Sequence, residues 1–190
     1  MVIKKQLFKY IATALCAGVG FSAPAAAQTA AVSERLDLLF EQLLEAEPEE
    51  VERLEGQIIS EWGKSGSAAM DLLLRRGEDA MEDGAFDVAV EHFTALVDHA
   101  PDFPEAYHGR ATAYYNLGLY GPSIDDLRQT LVLEPRHFGA MVGVAIILEE
   151  FEKPDEALEV WEFIAALSPA DPDIEAAIER LNTQMSGETL

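Results

Sequence analysis

Residues 98–107 read DHAPDFPEAY. Proline has no backbone N–H and its ring collides with the preceding helical turn, so it ends or opens helices and does not sit inside them. Helix-like text nevertheless flanks this stretch on both sides. The proline keeps a schedule: Pro101, Pro135 and Pro169 are spaced by 34 and 34 residues. With each proline as position 32, three units begin at Met70, Pro104 and Phe138. Small residues then recur at position 8 (Gly77, Ala111, Ala145) and position 20 (Ala89, Ser123, Ala157). Large residues recur at position 24 (Phe93, Leu127, Trp161).

Each residue type has a physical reason for its place. Positions 4, 8 and 11 obey i, i+4, i+7 spacing and form one buried stripe on a first helix; positions 20, 24 and 27 do the same on a second. Small residues at 8 and 20 let the two helices approach, and the large residue at 24 fills the space between them. Gly84 and Gly118 fall between the helices, where a left-handed residue is useful, whereas the third unit has Glu152-Lys153-Pro154 there. One unit of this size cannot bury enough apolar surface to offset its lost conformational entropy, so neighbouring units must cover one another.

Period, small positions, large positions and prolines stay in phase over residues 70–171, and in this the chain resembles the tetratricopeptide repeat (TPR) family. The resemblance implies an all-α fold: a right-handed superhelix of antiparallel helix pairs, three repeats plus flanking capping helices. The units are 70–103, 104–137 and 138–171. Residues 28–66 read as an N-terminal helical hairpin, a degenerate repeat or cap, with Ser33 as the expected N-cap of its first helix and Pro48 opening its second. Residues 172–190 read as a C-terminal capping helix and tail, opened by Asp171-Pro172-Asp173.

The first 27 residues are of a different kind. Three lysines and no acid precede an uncharged apolar run, and PAAAQ follows with small residues at Ala25 and Ala27. That is the order of a secretory signal peptide, with cleavage expected after Ala27 and a periplasmic or secreted mature chain. The apolar run is shorter than the roughly 20 residues a membrane span needs, so no stable span is expected after cleavage. The whole chain carries 13 basic and 35 acidic residues; without the three leader lysines the balance becomes 10 to 35, or −25. Such acidity repels phosphate backbones and argues against nucleic acid as a partner. The single cysteine, Cys16, lies in the leader, so the mature chain has no disulfide and no thiolate chemistry.

Nucleotide, metal and nucleophile motifs are absent from the sequence, and no catalytic residue, cofactor or metal site is expected. The four histidines, His92, His99, His108 and His137, read as surface or packing residues. Arg110 is placed to reach Asp126 on the second helix of its unit as a structural pair. The resemblance implies instead a binding groove on the concave side, lined by the first helix of each unit. Here that assigns Leu74, Glu78 and Met81 in unit one, His108, Thr112, Tyr115 and Asn116 in unit two, and Val142 and Ile146 in unit three. TPR domains that hold a chaperone's carboxylate tail use Lys, Arg and Asn at such positions, and only Asn116 is of that kind. The expected partner is therefore a protein or peptide segment with basic and apolar residues, held by a non-catalytic scaffold, an adaptor in cell-envelope assembly. The alternative is a periplasmic structural protein that self-associates into a homo-oligomer.

Overall fold

Each scheduled proline stands just beyond the end of a helix. The computed structural model describes residues 23–187, with side chains from Ser33 onward, so the expected signal segment lies outside the described residues up to position 22. The described residues form nine α-helices and no strands: α1 (Ala23–Leu44), α2 (Pro48–Trp62), α3 (Ala68–Glu82), α4 (Phe86–His99), α5 (Pro104–Asn116), α6 (Tyr120–Leu133), α7 (Phe138–Glu150), α8 (Pro154–Ala165) and α9 (Pro172–Ser186). None of them is long and apolar enough to cross a membrane. Helices α3–α4, α5–α6 and α7–α8 pair within the three 34-residue units, and α9 packs on α8 as the next first helix would.

The turn inside each unit needs one left-handed residue. Gly84 and Gly118 supply it with φ of 71° and 72°, and Glu152 takes the same role in the third unit with φ of 55°. Proline at the first helical position opens α2, α5, α8 and α9, where its missing N–H would have had no intrahelical partner anyway. Asp171 caps α9 by accepting hydrogen bonds from the backbone N–H groups of Asp173 (2.8 Å) and Ile174 (3.4 Å). The expected cap at Ser33 is different: α1 begins at Ala23 and Ser33 lies exposed inside it. The alanine-rich text upstream favours helix and carries α1 back past that serine.

The stack is built on missing side chains. Phe93 is fully buried in a core with Leu74, Ala89, Leu96 and Phe103. A Cβ added to Gly77 in its own unit, or to Gly109 in the next, would overlap its ring. Leu127 fills the equivalent place in the following unit, where a Cβ on Gly143 would come within 3.1 Å of it. Thus position 24 of units one and two presses on position 6 of the following first helix. Ala177 keeps position 6 small in α9 and shares a core with Trp161. Ser123, polar at a position that is Ala in the other two units, is buried and donates to the Ala111 carbonyl at 2.8 Å.

The expected N-terminal helical hairpin is present, and it packs elsewhere than on the first helix of unit one. Helices α1 and α2 pack on each other, but α2 does not lie alongside α3. Position 6 of unit one is Arg75, exposed and charged, where a stacked predecessor would require a glycine or alanine. The hairpin crosses the turns that open α7 and α9 instead. Arg136 pairs with Asp37 at 2.8 Å and lies over the Phe40 ring at 4.4 Å, and Trp62 packs against His137 and Phe138. Its apolar face joins one core with Phe138, Met141, Trp161, Ile174 and Leu181.

Candidate functional site

A cleft of about 370 Å³ runs between α5 and α7, with Ser123 and Leu127 of α6 behind it. Six of the nine expected groove residues line it: His108, Thr112, Tyr115, Asn116, Val142 and Ile146. Its floor is made by Gly139 and Gly143, so α7 presents backbone where other helices present side chains. The three residues expected from unit one lie elsewhere. Leu74 is only 6% exposed and belongs to the Phe93 core, which removes it from any groove surface. Met81 packs partly on that same core, and Glu78 is exposed on α3 outside the cleft.

The lining is apolar with a polar wall and an acidic rim. Asn116 donates its amide to the Thr112 carbonyl at 2.8 Å, and the Thr112 hydroxyl donates to the His108 carbonyl at 3.0 Å, so both point along their own helix. The Tyr115 hydroxyl donates to Glu150 at 3.4 Å, and its ring begins an edge-to-face series through Tyr120 to the exposed Phe151. Arg110 is already committed: its guanidinium forks onto both Asp126 carboxylate oxygens at 2.7 and 2.8 Å and donates to Thr94. No cation lines the cleft.

At one end of the cleft lies a polar hub that the sequence alone does not single out. Buried His137 caps α7: its Nδ1 accepts the Ala140 N–H at 3.0 Å, so the proton sits on Nε2, which donates to Glu105 at 2.9 Å. His108 Nδ1 stands 3.5 Å from the other Glu105 oxygen, and the two imidazole rings are 4.5 Å apart. Burial raises the Glu105 carboxyl, but the two imidazoles outweigh it and hold the group at about 2. Burial dominates at His137 and lowers its pKa, with Glu105 opposing it.

These three side chains bring ligand-type atoms within 4.8 Å of one another, as a metal site would. The hydrogen bonds argue against that use. A metal-bound histidine donates through its second ring nitrogen. The second nitrogen of His137 accepts instead, so Nε2 cannot release its proton to take a cation without leaving Ala140 N–H facing another N–H. The hub is a capping and packing device. Glu105, in the first turn of α5, turns its carboxylate to the histidines; His137 at position 34 and Trp62 in the hairpin carry no motif that would have marked them.

Against known proteins, no protein-family model matches the chain. It is 33% identical over 155 residues to a TPR repeat-containing protein of Rhizobium etli, covering 81% of this chain and 76% of that protein. The chain belongs to the TPR repeat family. It also aligns with a rice SGT1 homologue, 32% identical over 97 residues, spanning half of this chain and about a quarter of the relative's length. Among solved structures, the first TPR domain of Spaghetti (RPAP3), bound to the HSP90 peptide SRMEEVD, superposes with a TM-score of 0.58 at 20% identity over 62% of this chain and 95% of that domain. MamA superposes over more of this TPR chain, 84%, with a TM-score of 0.51 at 18% identity and 90% of its own length covered. At these identities the two structures speak for the fold alone.

Proposed function

We propose that this TPR protein is a non-catalytic interaction scaffold that holds a peptide segment of a partner protein in the cleft between α5 and α7. The observation that carries the reading is the cleft itself, an apolar floor with two glycines beside Val142 and Ile146, walled by His108 and Tyr115. Its occupant carries apolar side chains for the floor and basic ones for the rim at Glu150 and for a chain of net charge −22. The RPAP3 domain binds an acidic peptide. This cleft has no cation to receive one, and its single asparagine donates to its own helix. The setting we propose is the periplasm, with a role as an adaptor in cell-envelope assembly. The support is the basic, apolar and small-residue order of residues 1–27.

Fluorescence anisotropy with two labelled peptides tests this reading. A short peptide alternating leucine and lysine is expected to bind, and SRMEEVD is not. A Tyr115→Ala, His108→Ala double variant should abolish binding while circular dichroism shows unchanged helix content. Preference for the acidic peptide, or binding that survives the double variant, would refute the assignment.

A further inference from the structure

We propose that Trp62 and His137 are positioning residues of the cleft, so that the N-terminal hairpin is part of the binding site although none of its residues lines it. The proposal deepens the reading above and rests on it. The geometry is a chain of three rings in contact, the first pair stacked and the second tilted. Trp62, at the end of α2, lies parallel to His137 with centroids 4.4 Å apart and an interplanar angle of 7°. His137 in turn packs against His108 at 4.5 Å and 53°. His108 lines the cleft. The path from hairpin to cleft wall therefore needs one intervening residue.

His108 has little freedom to hold its place without this support. Glu105 faces one edge of its ring, and a Cβ on Gly139 would come within 3.2 Å of the ring's far atoms. The remaining side is His137, whose own orientation is fixed at both nitrogens by Ala140 N–H and Glu105. Trp62 closes the outer face of His137 and leaves it buried. Without the indole, water reaches the hub, the His137–Glu105 bond competes with solvent, and the wall of the cleft loses its backing. The hairpin's other anchors, Asp37 and Phe40 on Arg136, hold Trp62 in register but touch no cleft residue.

Trp62→Leu keeps an apolar side chain there and removes the stack, and Trp62→Phe restores an aromatic face. NMR of the imidazole Cε1–H signals reads His108 directly, without any ligand. Trp62→Leu is expected to move the His108 signal as well as that of His137, Trp62→Phe to bring both back toward wild type, and Tyr115→Ala, two turns further along α5, to leave His137 in place. With the leucine–lysine peptide as probe, Trp62→Leu is expected to weaken binding about tenfold with Trp62→Phe intermediate. If Trp62→Leu shifts His137 while His108 and peptide affinity stay at wild-type values, the positioning role is overturned. If no peptide binds wild type, the reading of the cleft fails by itself, and the His108 signal still decides whether Trp62 positions it. Should Trp62→Leu lose its helix content, Trp62→Phe against wild type supplies both readouts, and identical His108 signals there together with unchanged affinity would count against the proposal.

Discussion

Between the repeats, the large side chain of one unit sinks against the backbone of the next: Phe93 against Gly109, Leu127 against Gly143. Between the N-terminal hairpin and the repeats, one core shared with Phe138, Met141, Trp161 and Ile174 is edged by Trp62 on His137 and by Asp37 and Phe40 on Arg136. The first kind of contact packs helix against helix and leaves nothing polar stranded at its centre. The second leaves the Trp62 Nε1 buried without an acceptor, an arrangement that costs about 1–3 kcal/mol. It also sets Glu55 beside Asp171, where burial and that neighbouring carboxylate raise its pKa. Two interfaces in one chain thus differ in kind: one recurs every 34 residues against glycine backbone, the other occurs once, with an apolar core and a partly polar aromatic edge.

The repeat interface is most sensitive at Phe93, the fully buried ring between two glycines. Phe93→Ala empties the gap between Gly77 and Gly109 and should cost about 3–5 kcal/mol, read from denaturant unfolding followed by circular dichroism. A cost near ~1 kcal/mol, well below that range, would mean that the units do not depend on position 24.

Next in size is the hub between the two interfaces. Glu105→Gln removes the charge that both imidazoles face and should cost about 2 kcal/mol at neutral pH. Its pH dependence has a definite sign. The carboxyl is ordinarily near 4.5 and is held at about 2 here, so its contribution is complete above 4.5 and is lost as the pH falls toward 2. His137, lowered from 6.5 by burial, acts in the same sense: its contribution is complete above 6.5 and is lost as acid drives the proton on. Glu55, raised by burial, works the other way and regains stability on protonation. Thermal melts from about pH 7 to pH 2 should show a steep acid limb in wild type, flattened below pH 4.5 in Glu105→Gln.

The smallest effect is a gain. Glu152 holds the left-handed turn position that Gly84 and Gly118 fill in the other units. Glu152→Gly should raise stability by about 1 kcal/mol and shift the denaturant midpoint upward. A loss there would mean that the third turn has a support for its strained residue that the first two lack.

Much of the repeat region could be read from residues alone. The prolines, the small residues at 8 and 20 and the large ones at 24 each serve a local need that recurs every 34 residues, and the helices stand where they imply. The Arg110–Asp126 pair and the αL glycines were legible for the same reason. Position 6 was equally visible in Gly109, Gly143 and Ala177, but its meaning emerges only when the next unit is in place. Arg75 at that position was the sign that nothing stacks before unit one. Six of the expected residues share one cleft because they lie on the facing helices α5 and α7. Leu74 does not, because the first unit turns that leucine into its own core. The Trp62–His137–His108 contacts join residues far apart in the chain through side-chain faces with no periodicity, and no spacing rule reaches across such a distance.

Native-state hydrogen exchange on wild type and Trp62→Ala tests most directly whether the two interfaces are separate in kind. Trp62→Ala is expected to strip protection from amides of residues 33–62 and from the first turn of α7, where Trp62 backs His137 and Phe138, and to leave α3 and α4 at wild-type protection, because their core around Phe93 is separate from the hairpin's. Loss of protection in α4 and α2 by the same amount would contradict it, since the hairpin would then be a cooperative layer of the stack.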